Sequence, residues 1–441
     1  MSADTIVAPA TAAGRAAVAI VRLSGPHAET IAEAVAGKLP AVRTARLALF
    51  RDESGEPFDQ GLILRFQAPA SYTGENLVEF HCHGGAVPRQ ALVQRCVSLG
   101  ARVAEPGEFS LRAFLNGRLD LAQAEAVADL IDADSGSAAR AAMRSLQGDF
   151  SGRVAKLMAG LVDLRVLLEA AIDFPEEELD VLREYQVRER LQQALADVAS
   201  VRESARLGRV LRDGIQVVLV GPPNVGKSSL LNRLAGETLA IVTDIPGTTR
   251  DTVRCELVLD GVPVHVTDTA GLRESSDPVE RIGMERTRSA ARGADVLLVM
   301  TEAGASVPRQ NPEGLPPEAL QIQVESKADL LPAEAASPPA GVLRVSAHTG
   351  HGLDALRQAI LNAAGWREGA GEGLFLARQR HLDALDTACR HLATALEFEG
   401  PTVDLVAEEL RLAHRSLEAV GGRMSADALL GEIFSRFCIG K

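Results

Sequence analysis

Between Gly221 and Ser228 the chain reads Gly-Pro-Pro-Asn-Val-Gly-Lys-Ser, directly after the apolar run Ile215–Val220. A buried strand that passes through Gly-x-x-x-x-Gly-Lys-Ser into a helix, here the helix-like Ser229–Leu234, commits this stretch to a layered α/β sheet with a phosphate cradle at the strand's end. The two glycines let the backbone curl until its N–H groups point at phosphate oxygens. Lys227 sets a point charge on the outer phosphates, and the Ser228 hydroxyl is a ligand for Mg²⁺. A chance glycine turn would lack one or both flanking elements. The expectation is a nucleoside triphosphate site drawing on Asn224, Val225, Gly226, Lys227, Ser228 and Ser229.

Three further segments follow in order, each at a strand end. Val262–Thr267 runs into Asp268-Thr269-Ala270-Gly271, where Asp268 can hold Mg²⁺ through water and the Gly271 N–H can sense the terminal phosphate. Leu320–Glu325 runs into Ser326-Lys327-Ala328-Asp329. A carboxylate there accepts from both the ring N–H and the exocyclic amino group of guanine, a donor pair that adenine lacks, so GTP is expected over ATP. Val342–Val345 ends in Ser346-Ala347, whose backbone can read the guanine carbonyl. Ser-Lys-x-Asp alone is usually a solvated loop; it is the ordered set that carries the reading.

In Ras-type GTPases a glutamine after Asp-x-x-Gly orients the attacking water. Here Leu272 stands in that place. Glu280 is a candidate substitute, although Asp277-Pro278-Val279-Glu280 also has the form of a helix start, with Glu280 closing a capping box. On the residues alone the capping reading is the commoner, and the two roles are compatible. Thr243-Asp244-Ile245-Pro246-Gly247-Thr248-Thr249 has the character of a loop that orders on the terminal phosphate, with Thr249 a second hydroxyl for Mg²⁺. Arg250 reads as structural or solvated rather than as an arginine finger.

The chain has 441 residues, too many for one ordinary core, so two or three domains are expected. Its net charge of −13 gives no broad electrostatic grip on nucleic acid, and any RNA contact must be local or supplied by a partner. Cys82, Cys96, Cys255, Cys389 and Cys438 are dispersed, as for reduced thiols in a cytosol. His81-Cys82-His83 reads as packed strand residues rather than a metal site. No signal peptide or long apolar span is evident, so a soluble cytoplasmic protein without membrane contact is expected.

The pattern is α/β multidomain. Residues 1–118 alternate strand-like runs (Ala17–Leu23, Leu47–Phe50, Gly61–Phe66, Asn76–Cys82) with helix-like ones (His27–Ala36, Val87–Leu99). Residues 119–211 are helical, and 212–364 form the GTPase domain with a mostly parallel sheet. Residues 365–441 are helical again, through Phe375–Phe398 and Val403–Val420. Helical sequence on both sides suggests that the GTPase domain is inserted into one all-α domain. In the tail Phe437-Cys438-Ile439-Gly440-Lys441, Cys438 is either a buried packing residue or a thiol delivered to a site; the terminal lysine is a poor match to a prenylation box.

Taken together these residues resemble the MnmE (TrmE) family of tRNA-modifying GTPases, within the TrmE-Era-EngA-YihA-Septin-like group. The resemblance runs from Asp4-Thr5-Ile6-Val7-Ala8 and Arg22-Leu23-Ser24-Gly25 through Tyr72-Thr73-Gly74-Glu75 and His83-Gly84-Gly85. It continues through Glu105-Pro106-Gly107-Glu108-Phe109, Arg112–Asn116 and Leu119–Glu125 to the GTPase motifs and the terminal Phe-Cys-Ile-Gly-Lys. It implies an N-terminal folate-binding-like domain through which a homodimer forms, and an FAD-dependent partner, MnmG (GidA), in a heterotetramer or larger complex. The pair would add an aminomethyl or carboxymethylaminomethyl group to carbon five of the wobble uridine of certain tRNAs, with a 5-formyl- or methylene-tetrahydrofolate supplying the carbon. By position it implies folate contacts at Arg22, Glu79, Arg118 and Lys441. It also implies K⁺ ligation by Asn224, Thr243, Ile245 and Thr248, water orientation by Glu280, and a role for Cys438 in the modification. Arg118 stands where lysine is usual, and Ser326 where asparagine is usual; the second change puts the tethering of the guanine-reading loop in question. The main rival is a ribosome-assembly GTPase that binds RNA without modifying it, for which the chain offers no basic module. A folate enzyme merely regulated by GTP is a third reading.

Overall fold

A computed structural model of the chain describes residues 4–173, 186–237, 253–268, 293–304, 320–332, 337–367, 373–398, 403–422, 427–435, 437 and 440. Two compact units emerge, and neither is continuous in sequence. One takes residues 1–128, 146–194 and 390–441; the other takes 129–145 and 195–389.

The first unit is built on a six-stranded sheet of order β3-β4-β5-β2-β1-β6. Its strands are β1 (Ile6–Pro9), β2 (Ala16–Ser24), β3 (Arg46–Arg51), β4 (Pro57–Phe66), β5 (Leu77–Gly84) and β6 (Arg102–Val103). Alternation decides its two faces. Val21, Leu23, Phe50, Ile63, Val78, Phe80 and Cys82 point inward and pack with Ile31 and Val35 of α1 (Ala28–Ala36) and Leu92 of α2 (Ala86–Ser98). Residues of opposite parity, among them Val18, Leu47, Leu49 and Leu62, stay exposed, and Leu47 directly faces Leu62 across the β3–β4 ladder. This puts His81 and His83 on the face opposite Cys82; His83 is exposed and its Nδ1 lies 2.6 Å from Asp59. Of the expected packed residues, Cys82 is buried, His81 is half-buried and His83 lies on the surface, and no group of metal-ligand residues exists among the described residues.

The helices α3 (Glu108–Leu115), α4 (Leu121–Ile131), α5 (Gly136–Leu146), α6 (Asp149–Asp173) and α7 (Val187–Asp213) follow. In the first unit α6 packs on a later helix, Val403–Gly421. Phe434 and Phe437, near the end of the chain, enter a small core with Leu121, Ala124 and Phe114. Gly107 permits that approach, since a side chain there would meet the Phe434 carbonyl.

The second unit holds a sheet of order β12-β11-β10-β7-β9-β8. β7 (Ile215–Val220), β9 (Val262–Asp268), β10 (Val296–Glu302), β11 (Leu320–Ser326) and β12 (Val342–Arg344) run parallel, and β8 (Val253–Leu259) is the antiparallel edge. Parallel strands are buried on both faces, and β7 and β10 read Val, Leu and Met almost throughout. Around them lie α8 (Lys227–Glu237) and α9 (Leu353–Ala363). α5 also belongs to this core, through the fully buried Ala141 and Ala142. The helix-like run from Phe375 begins only at Gln379, where α10 (Gln379–Glu397) starts; α11 (Val403–Gly421) and α12 (Asp427–Ser435) complete the chain. Residues 374–377 are non-helical instead because Ser145 exchanges hydrogen bonds with the Leu376 backbone and Arg144 donates to the Leu374 carbonyl. Tertiary pairing overrides helix propensity there.

Candidate functional site

β7 delivers its C-terminal end to the turn 221–226, which opens α8 at Lys227. Asn224 and Gly226 have φ of 62° and 97°, a left-handed curl that asparagine tolerates and glycine allows freely. Lys227 is nearly buried and donates to the carbonyls of Gly221 (2.8 Å) and Pro222 (3.1 Å), so its charge lies inside the loop. Burial pushes its ammonium down, against the pull of Asp268. At the end of β9, Asp268 accepts from the Ser228 hydroxyl at 2.9 Å. Its other oxygen, Oδ1, is buried without a hydrogen-bond partner among the described residues. A buried carboxylate oxygen without a donor is a position built for something else.

The base end of the site is also assembled. Asp329 follows the left-handed Lys327 (φ 59°) in a short 3₁₀ turn, Ala328–Leu330. The Ser346 hydroxyl donates to Asp329 and holds its carboxyl below the usual carboxylate range. Ala328 N–H donates to the Val345 carbonyl at 3.1 Å, which brings Asp329 beside Ser346 and Ala347. Ser326, buried at the end of β11, donates to the Val225 carbonyl of the phosphate loop and contacts the Thr301 carbonyl at 3.1 Å. The loop tether questioned on the sequence is present, made by a hydroxyl. Thr243–Thr249, Thr269, Ala270, Gly271 and Glu280 lie outside the described residues.

A second constellation sits in the other unit. Arg22 on β2 faces Glu79 on β5 across the ladder and pairs with its Oε1 at 3.0 Å. The guanidinium lies 5.0 Å from the Tyr72 ring centre and 5.6 Å from that of Phe109. Its Nη1 reaches the Gly440 carbonyl at 3.5 Å, and Gly440 (φ 99°) sits so close over the Pro9 carbonyl that no side chain would fit. Gly440 thus lies against the Arg22–Glu79 pair. The neighbouring His81 Nε2 is buried without a hydrogen-bond partner, 3.7 Å from Glu79 Oε2. Arg118 is exposed, passes alongside Gly74, and makes no ion pair among the described residues. Cys438 and Lys441 lie outside them.

Residues 121–438 match the MnmE helical domain, and residues 5–118 match the GTP-binding protein TrmE N-terminus. The chain belongs to the MnmE family. It is 53% identical over 440 residues to the tRNA modification GTPase MnmE of Thiobacillus denitrificans, covering 99% of this chain and 98% of that protein. Against the protein of the same name from Azoarcus sp. it is 52% identical over 445 residues, again covering 99% and 98%. Among solved structures it resembles Aquifex aeolicus Era bound to GDP·AlF4⁻, with 29% identity and a TM-score of 0.29 over 42% of this chain and 69% of that one. As a member of this family with its own phosphate loop at Gly221–Ser228, the chain is a GTPase.

Sequence reasoning missed the ring pair around Arg22. Tyr72 and Phe109 carried a signal, since the chain has only two tyrosines and twelve phenylalanines, and these two stand among polar residues (Ser71-Tyr72-Thr73 and Glu108-Phe109-Ser110) instead of in an apolar run.

Proposed function

We propose that this chain is a K⁺-activated GTPase of the cytoplasm that works as a homodimer with the FAD-dependent partner MnmG. Together they add an aminomethyl or carboxymethylaminomethyl group to carbon five of the wobble uridine of certain tRNAs, with a tetrahydrofolate derivative as one-carbon donor. The observation that carries the reading is that one chain holds both a triphosphate cradle and a separate ring-flanked Arg22–Glu79 pair that its own Gly440 meets. A simple nucleotide switch has no need of the second.

At the cradle, Lys227 offsets phosphate charge, Asp329 accepts from guanine, and Ser326 keeps the two ends of the site in register. The Ser228 hydroxyl and the Oδ1 of Asp268 suit a hard divalent cation, which when bound draws the outer phosphates together. Asn224, with Thr243, Ile245 and Thr248, is assigned to K⁺, and Glu280 to orienting the water. With no arginine finger or glutamine at hand, a monovalent cation beside the phosphates supplies the missing positive charge.

At the second site, Glu79 keeps an oxygen to accept from the donor edge of a pterin, while Arg22, Arg118 and Lys441 provide cations for the acidic end. Tyr72 and Phe109 hold the Arg22 guanidinium by cation–π contact. Cys438, two residues before Gly440 in sequence, is assigned a role in the modification. The exposed Val18, Leu47, Leu49 and Leu62 give the first unit a half-open apolar sheet face, which supports self-association. No helix among the described residues is long and apolar enough to cross a membrane.

The test is to digest bulk tRNA from a strain lacking the gene and quantify wobble-uridine nucleosides by mass spectrometry. Loss of the five-position aminomethyl-type groups, restored by the intact gene but not by Cys438→Ser, is the expected result. An unchanged nucleoside profile would favour the ribosome-assembly reading.

A further inference from the structure

The turn that joins β8 to β9 lies at the far end of the hairpin from the nucleotide. Both central residues, Asp260 and Gly261, have positive φ (48° and 83°), as a tight two-residue hairpin requires. From this turn β9 leads to Asp268, whose carboxylate meets Ser228. β8 leads back to Val253, next to the segment that carries Thr248 and Thr249. Each strand is seven residues long, so the turn is roughly 20 Å or more from the phosphate end. β9 is held by β7, whereas β8 is the edge strand, paired with β9 alone among the described residues.

The turn is anchored. The Ser135 hydroxyl donates to the Gly261 carbonyl at 2.6 Å while accepting the Ala138 N–H at 3.1 Å as the cap of α5. Gly261 fits closely over Ser137, where any side chain would collide with the hydroxyl. On the other flank Gln358 of α9 donates to Asp260 at 3.1 Å. α5 is a rigid post for this contact: Ala141 and Ala142 are wholly buried in the GTPase core, and Arg144 and Ser145 bind the backbone of Leu374 and Leu376.

We propose that Ser135 is a positioning residue for GTP hydrolysis. Its hydroxyl holds the β8–β9 turn on α5 and so fixes where the hairpin lies and, through β9, where Asp268 meets Ser228 and the terminal phosphate. Without this pin the hairpin tip loses its anchor on α5, and Asp268 no longer arrives in place for hydrolysis. The nucleotide itself is gripped by the loop 221–228 and by Asp329, so binding does not depend on the pin.

Three full-length variants separate this role from simple capping. Ser135→Ala removes cap and anchor together. Ser135→Thr keeps both. Ser135→Asp keeps a side-chain acceptor for the Ala138 N–H but has no proton for the Gly261 carbonyl. With K⁺ and Mg²⁺ present, kcat for GTP is expected to fall about three- to tenfold in the Ala and Asp variants, the loss of roughly one positioning hydrogen bond. KM and GDP affinity should stay within about twofold, and the Thr variant should match the parent in all three. Wild-type kcat in Ser135→Asp would reduce Ser135 to a helix cap and overturn the proposal. So would a kcat loss accompanied by an equal loss of GDP affinity, or one that threonine fails to restore. If Ser135→Ala does not fold, the Asp and Thr variants alone decide.

Discussion

At position 326 a hydroxyl does what a longer amide would do elsewhere, because β11 ends close enough to the phosphate loop for a short side chain to reach the Val225 carbonyl. Ser326→Ala would leave the Val225 and Thr301 carbonyls without this buried donor, at a cost of about 1–2 kcal/mol. We expect GDP release to accelerate roughly fivefold or more in stopped-flow fluorescence, with little change in the guanine preference. Asp329→Asn should act on the preference instead. It removes the paired acceptor for the guanine donor edge and should weaken GTP roughly tenfold or more, while xanthine nucleotide, whose ring presents an acceptor there, gains affinity in competition assays. These effects were foreshadowed unequally. Asp329 follows from base chemistry alone, whereas the reach of Ser326 depends on where two strand ends lie in space.

Among the elements, α3 shows how a helix can be held by charge. Glu108 at its start accepts from Arg102 (2.7 Å), Arg112 (3.0 Å) and the Glu105 N–H (2.8 Å), and Arg112 also binds Asp4. Burial pushes the Glu108 carboxyl up, but these hydrogen bonds, Arg102's first, outweigh it and hold it below its ordinary value of 4.5. A carboxyl lowered by folding contributes stability above its unfolded pKa and loses it as pH falls through the lower folded value. Glu108→Gln should therefore cost about 2–4 kcal/mol near neutral pH, read as a lower Tm, and the gap between variant and parent should close as the pH is taken below about 4. Long strongly patterned elements of this chain were legible in its sequence: β7, β11, α6 and the helix after the phosphate loop declare themselves by apolar patterning or by glycine spacing. α3 and β1 were not, since an eight-residue helix and a four-residue strand carry too few periods to register. Nor was the non-helical stretch 374–377, which is set by a serine some 230 positions earlier. The Arg22–Glu79 pair lay beyond local reading for the same reason. Only the ladder between β2 and β5 brings positions 57 apart into contact.

For the molecule as a whole, the half-open face of the first sheet is the feature most open to test. Leu47 is 60% exposed and Leu62 41%, and the two face each other across adjacent strands, so a charge there disturbs no core residue. Leu47→Glu should leave the Tm of dilute protein within about 1 °C, because surface changes away from packed features usually cost little. It should shift sedimentation from dimer toward monomer by tenfold or more in dissociation constant. A parent that sediments as a monomer would remove the self-association reading. The interleaving of the two units has a different consequence, for the order in which the chain can be made. α5 leaves the ribosome before any strand of the sheet that it completes, and Leu374 and Leu376, which close that core, arrive after all of them. Phe114 and Leu121 wait longer still, for Phe434 and Phe437 at the far end. A chain of separable domains can fold each as it emerges. Here the segment around Phe114 and Leu121 is left with an apolar seam open until Phe434 and Phe437 have been made, and a ribosome stalled before Leu374 would hold two unfinished cores.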